Sequence, residues 1–77
     1  MRIDMIVDNN RLAEGMLSRI EHEVEKRVLS LYPNAIIRVR KGENNHLDIA
    51  DKNKSAKDHV HELLEEMFND ADEWLYN

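Results

Sequence analysis

The sequence contains no cysteine, one proline and two glycines among its 77 residues, and these shortages exclude several kinds of site. Without cysteine the chain forms neither a disulfide framework nor a thiolate zinc centre, which fits a reducing compartment. The isolated Gly15 and Gly42 do not make the glycine-rich loop that binds phosphate in nucleotide-binding proteins. We therefore expect a cytoplasmic domain without such a nucleotide site.

Long hydrophobic runs are missing as well. The chain opens on Met1-Arg2-Ile3-Asp4, so an acidic residue interrupts the only early apolar stretch. Neither a signal peptide nor a membrane-spanning helix fits into such a pattern. With 42% apolar and 35% charged residues, we expect residues 1–77 to form a single soluble domain, and we expect that domain to be a monomer.

Basic residues are scarce in the last third of the chain. Residues 55–77 carry seven acids and one base, Lys57, whereas residues 1–54 hold ten bases and nine acids. The overall net charge of −5 argues against direct nucleic-acid binding, because such binding requires a cationic face. An acidic segment of this kind instead favours a basic partner or competition with an anion.

Hydrophobic spacing predicts the element order β-α-β-β-α. Apolar side chains alternate over residues 3–7, which is the period of a strand with one buried face. Over residues 17–31 they recur every three or four positions, with Leu12, Ala13 and Met16 leading in, which predicts a helix of about five turns that ends before Pro33. Alternation returns over residues 35–41 and 47–49, and the loop between these two strands is typical of a hairpin.

The clearest predicted element is a last helix over residues 55–77. Ser55 followed by Asp58 approximates a capping box at its start. Its apolar residues keep a helical spacing without a break and lie within roughly 140° of the circumference. These residues are Val60, Leu63, Leu64, Met67, Phe68, Ala71, Trp74 and Leu75. We expect Phe68 and Trp74 to belong to the core.

Together these elements predict an α+β fold. We expect a two-layer β-α-β-β-α sandwich in which a three-stranded mixed sheet carries both helices on one face. The first two strands should be parallel and joined by a right-handed crossover through the first helix. The second and third strands should form the hairpin.

The polar side of the last helix is the candidate binding surface, and we call it the acidic ridge. It consists of six carboxylates: Glu62, Glu65, Glu66, Asp70, Asp72 and Glu73. The predicted helix opposes its own dipole, since lysines cluster near its positive end and acids near its negative end. Acids three or four residues apart also repel one another. These costs favour an interaction surface, although a merely solvated helix face remains the open alternative.

The histidines do not predict a metal site. His59 and His61 are two residues apart and diverge by ~200° around a helix, so they cannot chelate one ion together. His22 and His46 fall in unrelated elements. We expect no metal and no cofactor.

No residue pattern predicts catalysis. The serines have no nucleophile motif around them, and a domain of this size rarely encloses a pocket that excludes water. Arg38, Arg40 and Lys41 form a small basic group on the second strand. A phosphate-binding patch is one interpretation, but outward-facing residues that keep the sheet soluble are the more common case. We expect no enzymatic activity.

The final segment closely resembles the C-terminal helix of the DinI-like family. The resemblance rests on the run EEMFNDADEWL at residues 65–75, with its Ala-Asp-acid-Trp ending. Further matches in register are the Met1-Arg2-Ile3 opening, Arg27 ahead of Tyr32-Pro33, and Asn44-Asn45 before Leu47. The resemblance covers essentially the whole chain, and the predicted element order agrees with the fold of the family.

The resemblance implies a non-enzymatic, bacterial or prophage-borne regulator of the SOS response to DNA damage. It implies binding to the RecA filament on single-stranded DNA, stabilisation of that filament, and restraint of the RecA-assisted self-cleavage of partners such as UmuD. The acidic helix is the implied contact, entering the filament groove or imitating the charge of DNA. By position, Glu62, Glu66, Asp72 and Glu73 coincide with acids of the family, Glu65 and Asp70 are additional, and Asn69 replaces an acid.

Two alternatives remain beside this interpretation. Similar sequences include a macrophage-survival, MsgA-like branch, so one alternative is a stress or virulence interaction protein whose partner is not RecA. The other is an acidic nucleic-acid mimic that inhibits a different DNA-binding enzyme. Co-sedimentation with RecA separates the first two hypotheses, and competition with single-stranded DNA identifies the third.

Overall fold

The structure, a computed structural model, describes residues 1–76, and at Arg11 it describes the backbone alone. A 3-10 turn, Asn9–Arg11, follows the first strand. The regular elements are β1 (Arg2–Asp8), α1 (Met16–Leu29), β2 (Ile36–Gly42), β3 (His46–Ala50), α2 (Lys54–Asn69) and α3 (Ala71–Trp74). The predicted α+β class with a three-stranded mixed sheet is confirmed.

The sheet has the strand order β2-β1-β3, with β1 parallel to β2 and antiparallel to β3. The predicted parallel pairing is confirmed, but the predicted hairpin between the second and third strands is wrong. The short connection 43–45 crosses the end of β1 and places β3 on the far side of that strand. There the backbone N–H of Asp8 donates to Oδ1 of Asn45 at 2.7 Å. β1, the most apolar of the three strands, therefore lies in the centre of the sheet with a neighbouring strand on each edge.

Both long helices pack on one face of the sheet. On that face β1 buries Ile3 and Met5, α1 buries three residues and α2 buries three more. The core comprises Ile3, Met5, Ile20, Val24, Val28, Val39, Ile49, Val60, Leu64, Met67 and Leu75. On the other face, side chains such as Arg38 and Arg40 are exposed. The structure therefore has the predicted two layers, helices on one side and an open sheet face on the other.

The first helix is shorter than its apolar spacing predicted. It begins after Gly15, which has a φ of +84°, and it ends at Leu29. Leu31 lies beyond the helix and is half exposed. Glycine suits position 15 because, in a left-handed backbone conformation, a Cβ would come too close to the carbonyl oxygen that follows it in the chain.

The start of α2 corrects the predicted capping box. Asn53, with an extended backbone, is the N-cap, and its Oδ1 accepts hydrogen bonds from the N–H groups of Ser55 and Ala56 at 2.9 and 3.3 Å. Ser55 lies inside the helix and is not the cap. Asparagine is among the most favoured N-cap residues because its short side chain reaches these otherwise free donors.

A break at Asp70 corrects the prediction of one continuous last helix. Asp70 has φ −95° and ψ 15°, and its backbone N–H donates to the carbonyl of Glu66 at 3.0 Å. The chain then forms the four-residue helix α3. The C-terminal segment therefore has two helical parts that meet at one of the predicted site residues.

Candidate functional site

All six carboxylates of the acidic ridge are exposed. They fall in two groups, because the chain turns at Asp70. Glu62, Glu65 and Glu66 lie on α2, whereas Asp72 and Glu73 lie on α3. The ridge is therefore a bent surface of two helical parts joined at Asp70, and not the straight line of charges that a continuous helix would present.

The conflict between charge and helix dipole is real for α2 and absent for α3. The first turn of α2 contains no acid and its last turn no base, so its ends lack the charges that the dipole favours. Asp72 and Glu73, in contrast, fall in the first turn of α3, where negative charge is favourable. The predicted opposition thus holds for Lys54 and Lys57 in the first turn of α2 and fails for Asp72 and Glu73 beyond the break.

The ridge carboxylates have no ion-pair partner in the part of the chain that the structure describes. The ion pair found there joins Nε of Arg27 to Oε2 of Glu23 at 2.7 Å, on α1. No basic side chain among the described residues therefore pairs with Glu62, Glu65 or Glu66 to offset the repulsion between them. Their oxygens face solvent and are free to accept hydrogen bonds from a cationic partner.

Two hydrogen bonds hold the second part of the ridge in place. Nε1 of Trp74 donates to the carbonyl of Met67 at 2.7 Å, which ties α3 to the last turns of α2. Nη1 of Arg19 donates to the carbonyl of Leu75 at 3.2 Å, which ties the chain after α3 to α1. Leu75 is itself buried. Asp72 and Glu73 are therefore presented from an anchored segment.

Phe68 and Trp74, the two aromatic residues predicted to lie in the core, differ in their burial. Trp74 packs partly buried against the core, in agreement with its predicted position. Phe68 is 40% exposed, so the prediction that it belongs to the core is wrong. Its ring contacts that of Trp74, with centroids 6.1 Å apart at 60°. Phe68 therefore lies at the edge of the core, with Trp74 beside it.

A groove that sequence reasoning missed lies beside the ridge, and we call it the C-terminal groove. It has a volume of about 770 Å³ and is bounded by the end of β1, the start of α1, the start of β3 and the segment from α2 to Tyr76. Met16, Leu47, Phe68 and Tyr76 supply apolar lining. Glu65 and Asp72 of the ridge line it too. The apolar residues at positions 74–76 were the available signal in the sequence. Their position beside α1 and β3 was not predicted because the last helix was expected to continue through Asp70.

The structure also places the histidines and the basic residues that the sequence singled out. Among the residues that the structure describes, no group of three or more His, Asp or Glu side chains is placed to hold a metal ion. Nδ1 of His59 and the hydroxyl oxygen of Tyr32 are 3.1 Å apart, within hydrogen-bonding distance. Within residues 1–76, no helix combines the length and the apolar character that crossing a bilayer requires. Arg38, Arg40 and Lys41 are exposed on β2.

Comparison with known proteins gives a consistent result. The sequence matches the DinI-like family over residues 13–75. It is 33% identical over 76 residues to the DNA damage-inducible protein I of Serratia marcescens, covering 97% of this chain and 96% of that protein. It is 37% identical over 78 residues to the virulence protein MsgA of Salmonella typhimurium, with coverage of 97% and 96%. A DinI-like protein in retron Ec67 of Escherichia coli is 27% identical over 78 residues, with coverage of 99% and 100%.

Proposed function

Since this chain belongs to the DinI-like family, we propose that it is a non-enzymatic regulator of the DNA-damage response that binds RecA filaments through its acidic ridge. The observation that carries the proposal is the ridge itself: six exposed carboxylates without an ion-pair partner among the described residues. The protein acts in the cytoplasm as a monomer of one domain, without a cofactor and without contacting nucleic acid directly.

The proposed mechanism is electrostatic docking of a preorganised surface. Glu62, Glu65 and Glu66 project from α2, and the anchored α3 adds Asp72 and Glu73, so little order has to be gained on binding. The carboxylates take the place of DNA phosphates against lysine and arginine side chains of the filament. Filament stability and RecA-assisted self-cleavage then change according to which filament state the protein binds more tightly.

Fluorescence anisotropy of the labelled protein, titrated with RecA filaments preformed on single-stranded DNA, tests this function. We expect saturable binding that weakens as salt rises, because exposed charges are screened over ~8–10 Å at ordinary ionic strength. Titration with single-stranded DNA alone is the control and should give no binding. Absence of filament binding at low salt would reject RecA as the partner.

A second candidate function is favoured by one comparison. The MsgA relative, at 37% identity over nearly all of both chains, is named a virulence protein. The alternative is therefore a stress or virulence interaction protein that has the same fold and ridge but a partner other than RecA. Affinity capture with the wild-type chain, and with a chain whose ridge charges are reversed, would identify a partner that depends on the ridge.

A further inference from the structure

The C-terminal groove is formed by four parts of the chain: the end of β1, the start of α1, the start of β3 and the last segment. Met16 starts α1, Leu47 lies on β3, and Phe68 and Tyr76 flank the break and the short helix α3. The hydrogen bond from Trp74 to Met67 holds this last segment together, and the one from Arg19 to Leu75 ties it to α1. The groove thus has walls from elements that are packed on the core.

Apolar side chains are left open to solvent along this groove. Phe68 is 40% exposed and Tyr76 is 66% exposed, while Met16 and Leu47, which line the same groove, are partly buried. Adjacent exposed apolar groups in a small protein commonly mark an interaction surface, because covering them removes apolar area from water. An occupant of this groove therefore needs an apolar side chain of its own.

The charge at the rim restricts that occupant further. Glu65 and Asp72 line the groove, and the described residues that line it include no lysine or arginine. The rest of the acidic ridge continues from the same rim along α2 and α3. An acidic peptide would be repelled from this position, whereas lysine or arginine beside the apolar anchor would meet opposite charge.

We infer that the C-terminal groove binds a short segment of a partner protein that presents one large apolar side chain flanked by lysine or arginine. The inference rests on the proposed function only in taking the partner to be a protein with a basic surface. It adds a site: the anchor enters between Phe68, Tyr76 and Met16, and the flanking cations reach Glu65 and Asp72. The ridge supplies attraction, and the groove supplies the specific position.

A peptide titration followed by NMR on the isotope-labelled chain tests the groove without RecA. The probe is a synthetic amphipathic peptide of leucine and lysine, compared with a leucine–glutamate peptide of the same pattern and a serine–lysine peptide. We expect the leucine–lysine peptide to shift the amide signals of Met16, Leu47, Phe68 and Tyr76. The serine–lysine peptide should bind about tenfold more weakly, as expected when an interface loses its apolar anchor, and the leucine–glutamate peptide should not bind.

Matched variants distinguish binding in the groove from non-specific binding to exposed apolar side chains. Tyr76→Ser and Phe68→Ser should each weaken the leucine–lysine peptide about tenfold, because each removes apolar lining. Ile36→Ser and Leu31→Ser are the controls, since these residues are 64% and 50% exposed and lie elsewhere, and they should change nothing. Tyr76→Ser changes the most exposed of the four side chains, so it reports on the groove even if Phe68→Ser loses stability.

Three results with the isolated chain would overturn the inference. They are equal binding of the serine–lysine peptide, an equal loss in the Ile36→Ser control, and self-association of the wild-type chain that Tyr76→Ser abolishes, which would make the groove a contact between copies. RecA filament binding that is insensitive to both groove variants would also refute it while leaving the proposed function intact. Peptide binding in the groove without filament binding would leave the inference standing and reject RecA.

Discussion

Single side chains determine where the C-terminal helices begin and how they are held. Asn53 supplies the N-cap of α2 by accepting two backbone N–H groups, and Trp74 donates to the carbonyl of Met67 near the other end. Both contacts satisfy backbone groups at the ends of α2, where N–H and C=O groups lack a partner within the helix. The acidic ridge lies between them, so its geometry depends on residues that carry no charge.

Replacing the cap tests which residue starts α2. Asn53→Ala should lower the free energy of unfolding by about 1 kcal/mol, because the N–H groups of Ser55 and Ala56 lose their acceptor. Urea denaturation followed by circular dichroism measures this change. Ser55→Ala is the matched control and should cost much less. A larger loss for Ser55→Ala than for Asn53→Ala would contradict the observed cap.

Replacing the indole tests the link between α2 and α3. Trp74→Phe keeps an aromatic ring beside Phe68 but removes the donor to Met67, so we expect a loss of about 0.5–1.5 kcal/mol in unfolding free energy. Trp74→Ala removes the packing as well and should cost more. Urea denaturation of both variants gives the comparison, and equal stability of Trp74→Phe and wild type would show that the hydrogen bond contributes nothing.

Periodicity predicts which face of an element is buried but not which element lies next to it. The alternation in β1 identified Ile3 and Met5 as core residues, yet nothing local in it shows that β3 crosses to the far edge. The same limit hid the break at Asp70. A single non-helical residue there still leaves Ala71 and Leu75 turned toward the protein, so the apolar spacing runs through the break.

The entry to α1 gives a prediction at the scale of an element. Gly15 has a φ of +84°, and a Cβ built there meets no atom within 4 Å, so conformation and not space is the constraint. Gly15→Ala should destabilise the protein by about 1–2 kcal/mol. Gly15→Asn should cost less, since asparagine tolerates this conformation better than alanine does. Thermal denaturation compares the two variants, and equal melting temperatures would contradict a backbone cause.

At the scale of the whole molecule, the separation of charge was readable from the sequence and the groove was not. A stripe of apolar residues on one side of α2 requires that Glu62 and Glu66 face solvent, and both are exposed. The groove requires contact between residues near positions 16, 47 and 76, which only the folded chain brings together. Predicting it would have required the sheet order and the break at Asp70, and both were missed.

The last prediction is that filament binding depends on where the negative charges lie, and not only on the net charge of the protein. Glu66→Lys combined with Glu73→Lys reverses one carboxylate on each part of the ridge. We expect weaker binding to RecA filaments and a shallower dependence on salt, because fewer opposite charges meet across the interface. Both residues are exposed, so unfolding free energy should stay within about 0.5 kcal/mol of wild type. Anisotropy and urea denaturation measure the two effects.

The matched control carries the same change of net charge elsewhere. Glu21→Lys combined with Glu43→Lys alters two exposed glutamates, one on α1 and one in the loop after β2. If attraction to the filament depended only on the overall charge of −5, both double variants would bind equally weakly. A ridge that makes direct contacts instead loses affinity only when its own carboxylates are reversed. The difference between the two double variants therefore measures the contribution of the contact itself.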